Sequence, residues 1–242
     1  MNAVKEIESP PDPGTLRIVS VMSVPMCGWN PHWECHHAAL RPLGLVKQIT
    51  TYGAWWDHGI CNAFEDILDY QVPVDWVLTM DYDSMFTADQ VSRLCRTFGE
   101  NPHIDALSCL QPRRGGFNEE ETPLMTVEAK SDTVIEFTDQ PIKAATAHFG
   151  LTLFRVESIR KMPRPMMIHR PDPNGSYRTK ARLDPDMYFW HKWNECGNTL
   201  YVDPLVSIGH LQAMVAELLP DDDGHLRTKH CHVMDWRKRG VA

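Results

Sequence analysis

The chain has 242 residues and a formal charge of −8 at pH 7. Its 43% hydrophobic and 23% charged residues are the balance of an ordinary globular domain, which excludes wholesale disorder, a collagen-like chain and a coiled coil. No apolar run approaches the ~20 residues that span a bilayer, and the first fourteen residues lack the apolar stretch of a secretory signal. The acidic balance disfavours tight tracking of a nucleic-acid backbone but leaves room for a local basic patch. Seven cysteines, an odd number in a chain this long, point to reduced thiols and a cytoplasmic protein rather than a disulfide scaffold.

Residues 1–14, with Pro10, Pro11, Pro13 and Gly14, read as a flexible lead-in. LRIVSVMSV (16–24) is rich in β-branched residues and reads as a buried strand, followed by a loop with two tryptophans. A helix is expected within 33–40 and a second strand over 46–52. From Trp56 to Tyr70 the apolar residues Ile60, Ala63, Phe64, Ile67 and Leu68 recur at helical spacing. VDWVLTM (74–80) is a short, almost unbroken apolar strand. Thr87 to Gln90 matches a capping box, so a helix should start there and bury Val91, Leu94, Cys95 and Phe98. IDALSCL (104–110) reads as another strand.

This alternation predicts an α/β fold with a mostly parallel central sheet flanked by helices. The stretch 111–146 is less regular, with strand-like pieces at 124–129 and 133–137. GLTLFRV (150–156) reads as a strand entering a short helix, and 163–183 as a mobile loop. A helix is expected over 186–197, terminated by Gly197, then a strand region over 199–211. The tail after 215 is polar and charged, with a turn at 221–224. The implied division is a lead-in (1–14), a catalytic domain (15–212) and a C-terminal extension (213–242), with a smaller antiparallel part towards the C-terminus.

The sharpest chemical feature is Asp81-Tyr82-Asp83, directly after an apolar strand. Open α/β sheets place ligands at that end of their strands. Two carboxylates one residue apart suit Mg²⁺ or Mn²⁺, and such a cation would stabilise a diphosphate leaving group. The other reading is a plain acidic turn. Asp186 opens a helix, where an acid is either a favourable cap or a catalytic group facing the sheet edge. His210 ends a strand after Gly209, a structural position or a ligand. Gln111 and Arg113, with Arg114, follow a strand and suit a sugar or diphosphate, or form a solvated basic turn. Trp55, Trp56, Trp190 and Trp193 either stack on sugar or base faces or fill the core. Cys27, Cys35, His36 and His37, with His230, Cys231 and His232, match no recognised zinc spacing. P-loop and dinucleotide-binding glycine motifs are absent from the sequence.

Taken in order, Val24-Pro25, the strand ending D-Y-D, G-L-T-L-F-R, D-M-Y-F-W-x-K-W-x-x-x-G and V-D-P-x-V-x-I-G-H resemble a GT-A-type nucleotide-sugar glycosyltransferase. The likeness is to the family 2 group and its relatives, including phage-encoded versions, and it covers roughly residues 16–211. It implies a metal-dependent transferase that moves a sugar from a nucleoside-diphosphate sugar, with UDP the expected nucleotide, to an acceptor hydroxyl. Asp81 and Asp83 match the D-x-D motif that engages ribose and the diphosphate-bound metal, and His210 matches the histidine that completes the metal site. Asp186 matches the second acid of an E-D pair that serves as general base, although Pro185 stands where the first acid is expected and Asp184 lies one position off. Pro25, Met26 and Cys27 match the loop that lines the base. Asp57, Asn62 and Tyr82 extend the nucleotide set. Gln111, Arg113, Gly150 and Trp190 form the candidate sugar and diphosphate set.

The acceptor loops of such a fold would be 112–146 and 163–183. The second carries Arg164, His169, Arg170, Arg178, Lys180 and Arg182. It suits a polyanion such as phage DNA with a hydroxymethylated base, or a lid over the diphosphate, the acceptor then being a saccharide or small molecule. Two rivals remain: a haloacid-dehalogenase-like phosphatase, whose strand also ends in D-x-D, and a binding module that has lost turnover.

Overall fold

The computed structural model describes residues 17–24, 30–45, 48–52, 55–70, 73–112, 138–178, 182–211, 214–220 and 226–232. Their order is β1 (Ile18–Val24), α1 (Asn30–Leu40), β2 (Gln48–Tyr52), α2 (Trp56–Asp69), β3 (Trp76–Asp81), β4 (Ser84–Met85), α3 (Ala88–Glu100) and β5 (Ala106–Leu110). There follow β6 (Ile142–Lys143), β7 (Leu151–Arg155), α4 (Val156–Arg160), α5 (Pro185–Glu195), β8 (Leu200–Ser207), β9 (Gly209–His210), β10 (Met214–Pro220) and β11 (Leu226–His232).

Seven strands form one sheet in the order β2-β1-β3-β7-β5-β8-β6. β2, β1 and β3 are mutually parallel, and so are β5 and β8. β7 runs antiparallel between β3 and β5, and β6 runs antiparallel at the β8 edge. Five strands therefore point one way, as the alternation of strand and helix predicts. Sequence pattern did not reveal the reversed strand at the centre, because LTLFR is buried nearly throughout and a buried run reads the same in either direction.

β1 shows why the sheet is covered on both faces: all seven of its residues are buried. Val19 and Val21 face a core with Ile60, Phe64, Phe154, Phe189, Trp190 and Trp193. Ile18, Met22 and Val24 face a second core with Leu78, Leu94, Phe98 and Leu153. The capping box is present: Gln90 N–H donates to Thr87 Oγ1 at 3.3 Å and Thr87 N–H to Gln90 Oε1 at 2.8 Å, and α3 begins at the next residue. Cys35, Cys61, Cys95, Cys109 and Cys196 are free thiols. Among the described residues no helix is long and apolar enough to cross a membrane.

One expectation needs correction. The segment expected to be a mobile loop over 163–183 is pinned where it is described. Met166 and Met167 are buried in the core, Arg170 and Leu183 form a β-bridge, and Asp172 Oδ1 accepts from the N–H groups of Asn174 and Ser176. β10 and β11 pair antiparallel, the antiparallel part expected near the C-terminus. The lead-in, the pieces at 124–129 and 133–137 and the turn at 221–224 lie outside the described residues.

Candidate active site

The strands β1, β3, β5 and β8 end at one edge of the sheet, and β7 begins there. That edge carries Asp81-Tyr82-Asp83 after β3, Gln111 after β5, and Gly150 just before β7. The backbone N–H of Asp81 donates to the Gly150 carbonyl at 3.4 Å.

His210 is delivered to this edge by an irregularity in β8. Opposite β5 the register jumps from Cys109↔Asp203 to Leu110↔Ser207. Pro204 has no N–H for the ladder, and the buried Asp203 carboxylate holds the bulge. It accepts from Leu205 N–H at 3.0 Å, Thr97 Oγ1 at 2.9 Å and Arg93 Nε at 3.2 Å. Beyond the bulge, β9 pairs with β4 and sets His210 opposite Ser84. Leu211 N–H donates to the Asp83 carbonyl at 2.7 Å.

The imidazole of His210 has a defined orientation. Its Nδ1 lies 2.9 Å from the Pro112 carbonyl oxygen. A carbonyl only accepts, so Nδ1 carries a proton. Nε2 then faces Asp83 Oδ2 at 3.2 Å. In a neutral imidazole that nitrogen presents a lone pair to the carboxylate, and two electron-rich atoms at this distance need a proton or a cation between them. The side chains are 10% and 3% exposed, so water screens the pair little. A backbone carbonyl on the far ring nitrogen is the support that metal-binding histidines ordinarily have.

α2 begins beside the same edge. Trp56 Nε1–H donates to Asp81 Oδ1 at 2.7 Å. The next residue, Asp57, is 4% exposed, and its Oδ2 lies 3.6 Å from His169 Nε2. An acid in the first turn is favoured by the helix N–H groups. Asp186 occupies the first turn of α5, where its Oδ1 accepts from Met187 N–H at 2.8 Å. Burial, the largest effect, raises its pKa above the ordinary carboxylate value, and the nearby His169 opposes that rise weakly. A partly desolvated carboxylate of this kind is a better proton acceptor than one in water.

Beneath the edge lies a polar layer. Gln111, 1% exposed, donates through Nε2 to Ser84 Oγ at 3.0 Å. Gly150 N–H donates to His148 Nδ1 at 3.0 Å, and His148 Nε2 reaches the Cys109 carbonyl at 2.7 Å. Only the neutral imidazole with its proton on Nε2 makes both bonds, and burial lowers its pKa to about 4. A Cβ on Gly150 would sit 2.6 Å from Ser84 Oγ and 2.7 Å from Gln111 Oε1, so this close approach requires glycine.

Of the residues singled out from sequence, Asp81, Asp83, His210, Gln111 and Gly150 meet at this edge, with Tyr82 half-buried between the two acids. Asp57 is nearby and turned towards His169. Asn62 is exposed further along α2. Trp190 is a correction to the sugar set: it is fully buried, its indole N–H bonds to the Ala147 carbonyl, and it packs on Phe149 and Phe154. Trp193 is likewise core. Pro25, Met26, Cys27, Arg113 and Arg114 lie outside the described residues. His148 was missed as a contributor to the site and belongs to no local motif, and His169 was read only as part of the basic loop 163–183. Among the described residues, no group of three or more His, Cys, Asp or Glu side chains is gathered to hold a metal ion.

No protein-family model matches this chain, and no curated protein matches it. Solved structures do. A197 from STIV aligns over 90% of this chain and 96% of its own, with a TM-score of 0.51 and 14% identity. The crystal structure of GalNAc-T7 with UDP, GalNAc and Mn²⁺ aligns over 81% of this chain, with a TM-score of 0.51 and 11% identity. Only 44% of that longer protein is covered. The chain has a GT-A-like fold.

Proposed function

We propose that the protein is a metal-dependent glycosyltransferase that moves a sugar from a nucleoside-diphosphate sugar, UDP being the expected nucleotide, to an acceptor hydroxyl. The observation that carries this reading is His210, whose Nδ1 is committed to Pro112 while Nε2 faces the Asp83 carboxylate. The GT-A-like fold agrees with it. The working unit is residues 15–212, with 213–242 as an extension.

Asp83 and His210 would hold Mn²⁺ or Mg²⁺, the carboxylate being the oxygen ligand that such ions take. The bound ion supplies positive charge against the leaving diphosphate. Asp81 accepts from a ribose hydroxyl of the donor. Gln111 and the Gly150 backbone line the floor beside the diphosphate. Asp186 takes the proton of the acceptor hydroxyl onto its carboxylate as the hydroxyl oxygen attacks the anomeric carbon of the sugar and the bond from that carbon to the diphosphate breaks. Asp184 does not stand in for the missing acid of the E-D pair, because its carboxylate is bonded to Arg182 at 2.8 and 3.2 Å.

The acceptor class follows less directly. Arg164 is paired with Asp69 and Arg182 with Asp184, so part of the basic character of 163–183 is neutralised within the fold. A saccharide or small-molecule hydroxyl therefore fits better than DNA with a hydroxymethylated base. The phosphatase alternative loses its ground with the GT-A-like sheet, in which an antiparallel strand flanks the D-x-D strand.

The test is a calorimetric and thermal-shift panel of nucleoside diphosphates and their sugars, with and without Mn²⁺. Metal-dependent stabilisation by one nucleotide is expected, rising with the logarithm of its concentration. Stabilisation by none of them overturns the reading. Binding without turnover, across an acceptor screen that includes hydroxymethylated DNA, identifies a binding module.

A further inference from the structure

The first acid of the D-x-D pair meets a donor on another element. Asp81 is the last residue of β3, and a hydrogen bond to its carboxylate restricts the χ torsions that carry it. Trp56 Nε1–H reaches Asp81 Oδ1 at 2.7 Å, across 25 residues of sequence. An indole N–H only donates, and a bond to an ionised carboxylate is among the stronger hydrogen bonds of a protein.

The indole is itself immobilised. Its ring meets Phe149 edge-on, with centroids 5.1 Å apart and planes at 77°. Phe149 stacks on Phe154 and packs against Phe189, so the donor rests on the largest aromatic cluster of the core. The helix that carries it is seated equally firmly. A Cβ at Gly59 would lie 2.5 Å from Thr51 Oγ1 and would also meet Ser23. Only glycine lets α2 lie this close to β1 and β2, and that approach sets where Trp56 arrives.

We infer that Trp56 is a positioning residue for the donor site: its indole N–H fixes the Asp81 carboxylate in the orientation that receives the nucleotide, leaving the cation to Asp83 and His210. This rests on the reading of the edge as a nucleotide-sugar site. Fixing a carboxylate before the ligand arrives removes rotational freedom that binding would otherwise have to remove. The role is distinct from stacking on a sugar, for which an indole must offer its face.

The test pairs a substitution with a resonance. Trp56→Phe keeps an aromatic ring against Phe149 and deletes the N–H. With UDP and Mn²⁺ in calorimetry, it should bind about tenfold more weakly than wild type, a factor equivalent to ~1.4 kcal/mol. Asp81→Asn should cost affinity too, and the double variant should lose less than the product of the two. In the ¹H–¹⁵N spectrum of the wild-type protein without ligand, the Trp56 indole N–H should exchange slowly with solvent. It should shift and lose that protection in Asp81→Ala. This second measurement needs no substitution at Trp56. Wild-type affinity in Trp56→Phe, fully additive losses, or an indole signal indifferent to Asp81→Ala each overturns the role. A wild-type protein that binds no nucleoside diphosphate overturns the donor-site reading and this role with it. A wild type that binds beside a Phe variant that binds equally well overturns this role alone.

Discussion

The Asp57 carboxylate and the His169 imidazole, 3.6 Å apart, join the first turn of α2 to the segment between α4 and α5. His169 is 45% exposed and Asp57 6%, so the pair is wet on one side and contributes under ~1 kcal/mol to global stability. Its effect is local. His169→Ala should raise amide hydrogen exchange over 163–178 while moving the melting temperature little. Unchanged exchange would show that Met166, Met167 and the Asp172 turn hold the segment without the pair.

Asp83 and His210 should act as a unit. Asp83→Ala is expected to abolish Mn²⁺-dependent nucleotide binding and turnover. His210→Ala is expected to weaken Mn²⁺ affinity by at least the roughly 10–100-fold that losing an outer-shell partner of a ligand costs. Manganese titrations followed by calorimetry give both numbers. A His210→Ala titration superimposable on wild type would leave the imidazole with a structural role only.

Asp186→Asn should lower kcat by about 10²–10⁴-fold with little change in donor affinity, the signature of a group needed only as the proton moves. Burial raises the carboxyl above its usual 3.8, so the acid limb of kcat should lie above that pH in wild type and vanish in the variant. An intact kcat would move the base to another residue.

Much of this arrangement was readable before the structure. The buried runs at β1, β3 and β5 and the capping box at Thr87 are local signals, and each formed the expected element. D-Y-D marked the edge because strand ends and acids are both visible in a string of residues. What stayed hidden is non-local. Trp56 was a candidate stacking ring, and nothing in its neighbourhood shows that its N–H meets an acid 25 residues later. Trp190 looked like a ligand-facing aromatic because helix α5 is aromatic nearly all round, and only packing shows that this ring is core. The pairing of β10 with β11 was not legible because the tail after 215 reads as polar and charged, without the alternation that marks a half-buried strand.

Acid should destabilise the protein before its carboxylates titrate. His148 has a folded pKa of about 4, below the ordinary 6.5, so the unfolded chain binds its proton first. The stability this neutral histidine confers is complete above pH 6.5 and is lost as pH falls from 6.5 towards 4, on the order of 3 kcal/mol in all. His32 and His36, lowered by burial to about 4 and about 3, act in the same direction. Denaturant titrations between pH 7 and 5 measure the slope, and His148→Gln should reduce it by up to one proton. A slope unaltered by that substitution would place the acid sensitivity on the other two rings.

The bulge at Asp203 and Pro204 has a consequence for how the protein comes into being. His210 follows Asp83 by 127 residues, so at ~5–20 residues per second of synthesis the two acids wait roughly 6–25 s for the imidazole. Nor does synthesis alone suffice: the imidazole reaches Asp83 only where β8 pairs with β5 and β9 with β4. The motif is written in three consecutive letters, but the site needs long-range closure, and a nascent chain that stops short of β9 carries Asp83 without its imidazole.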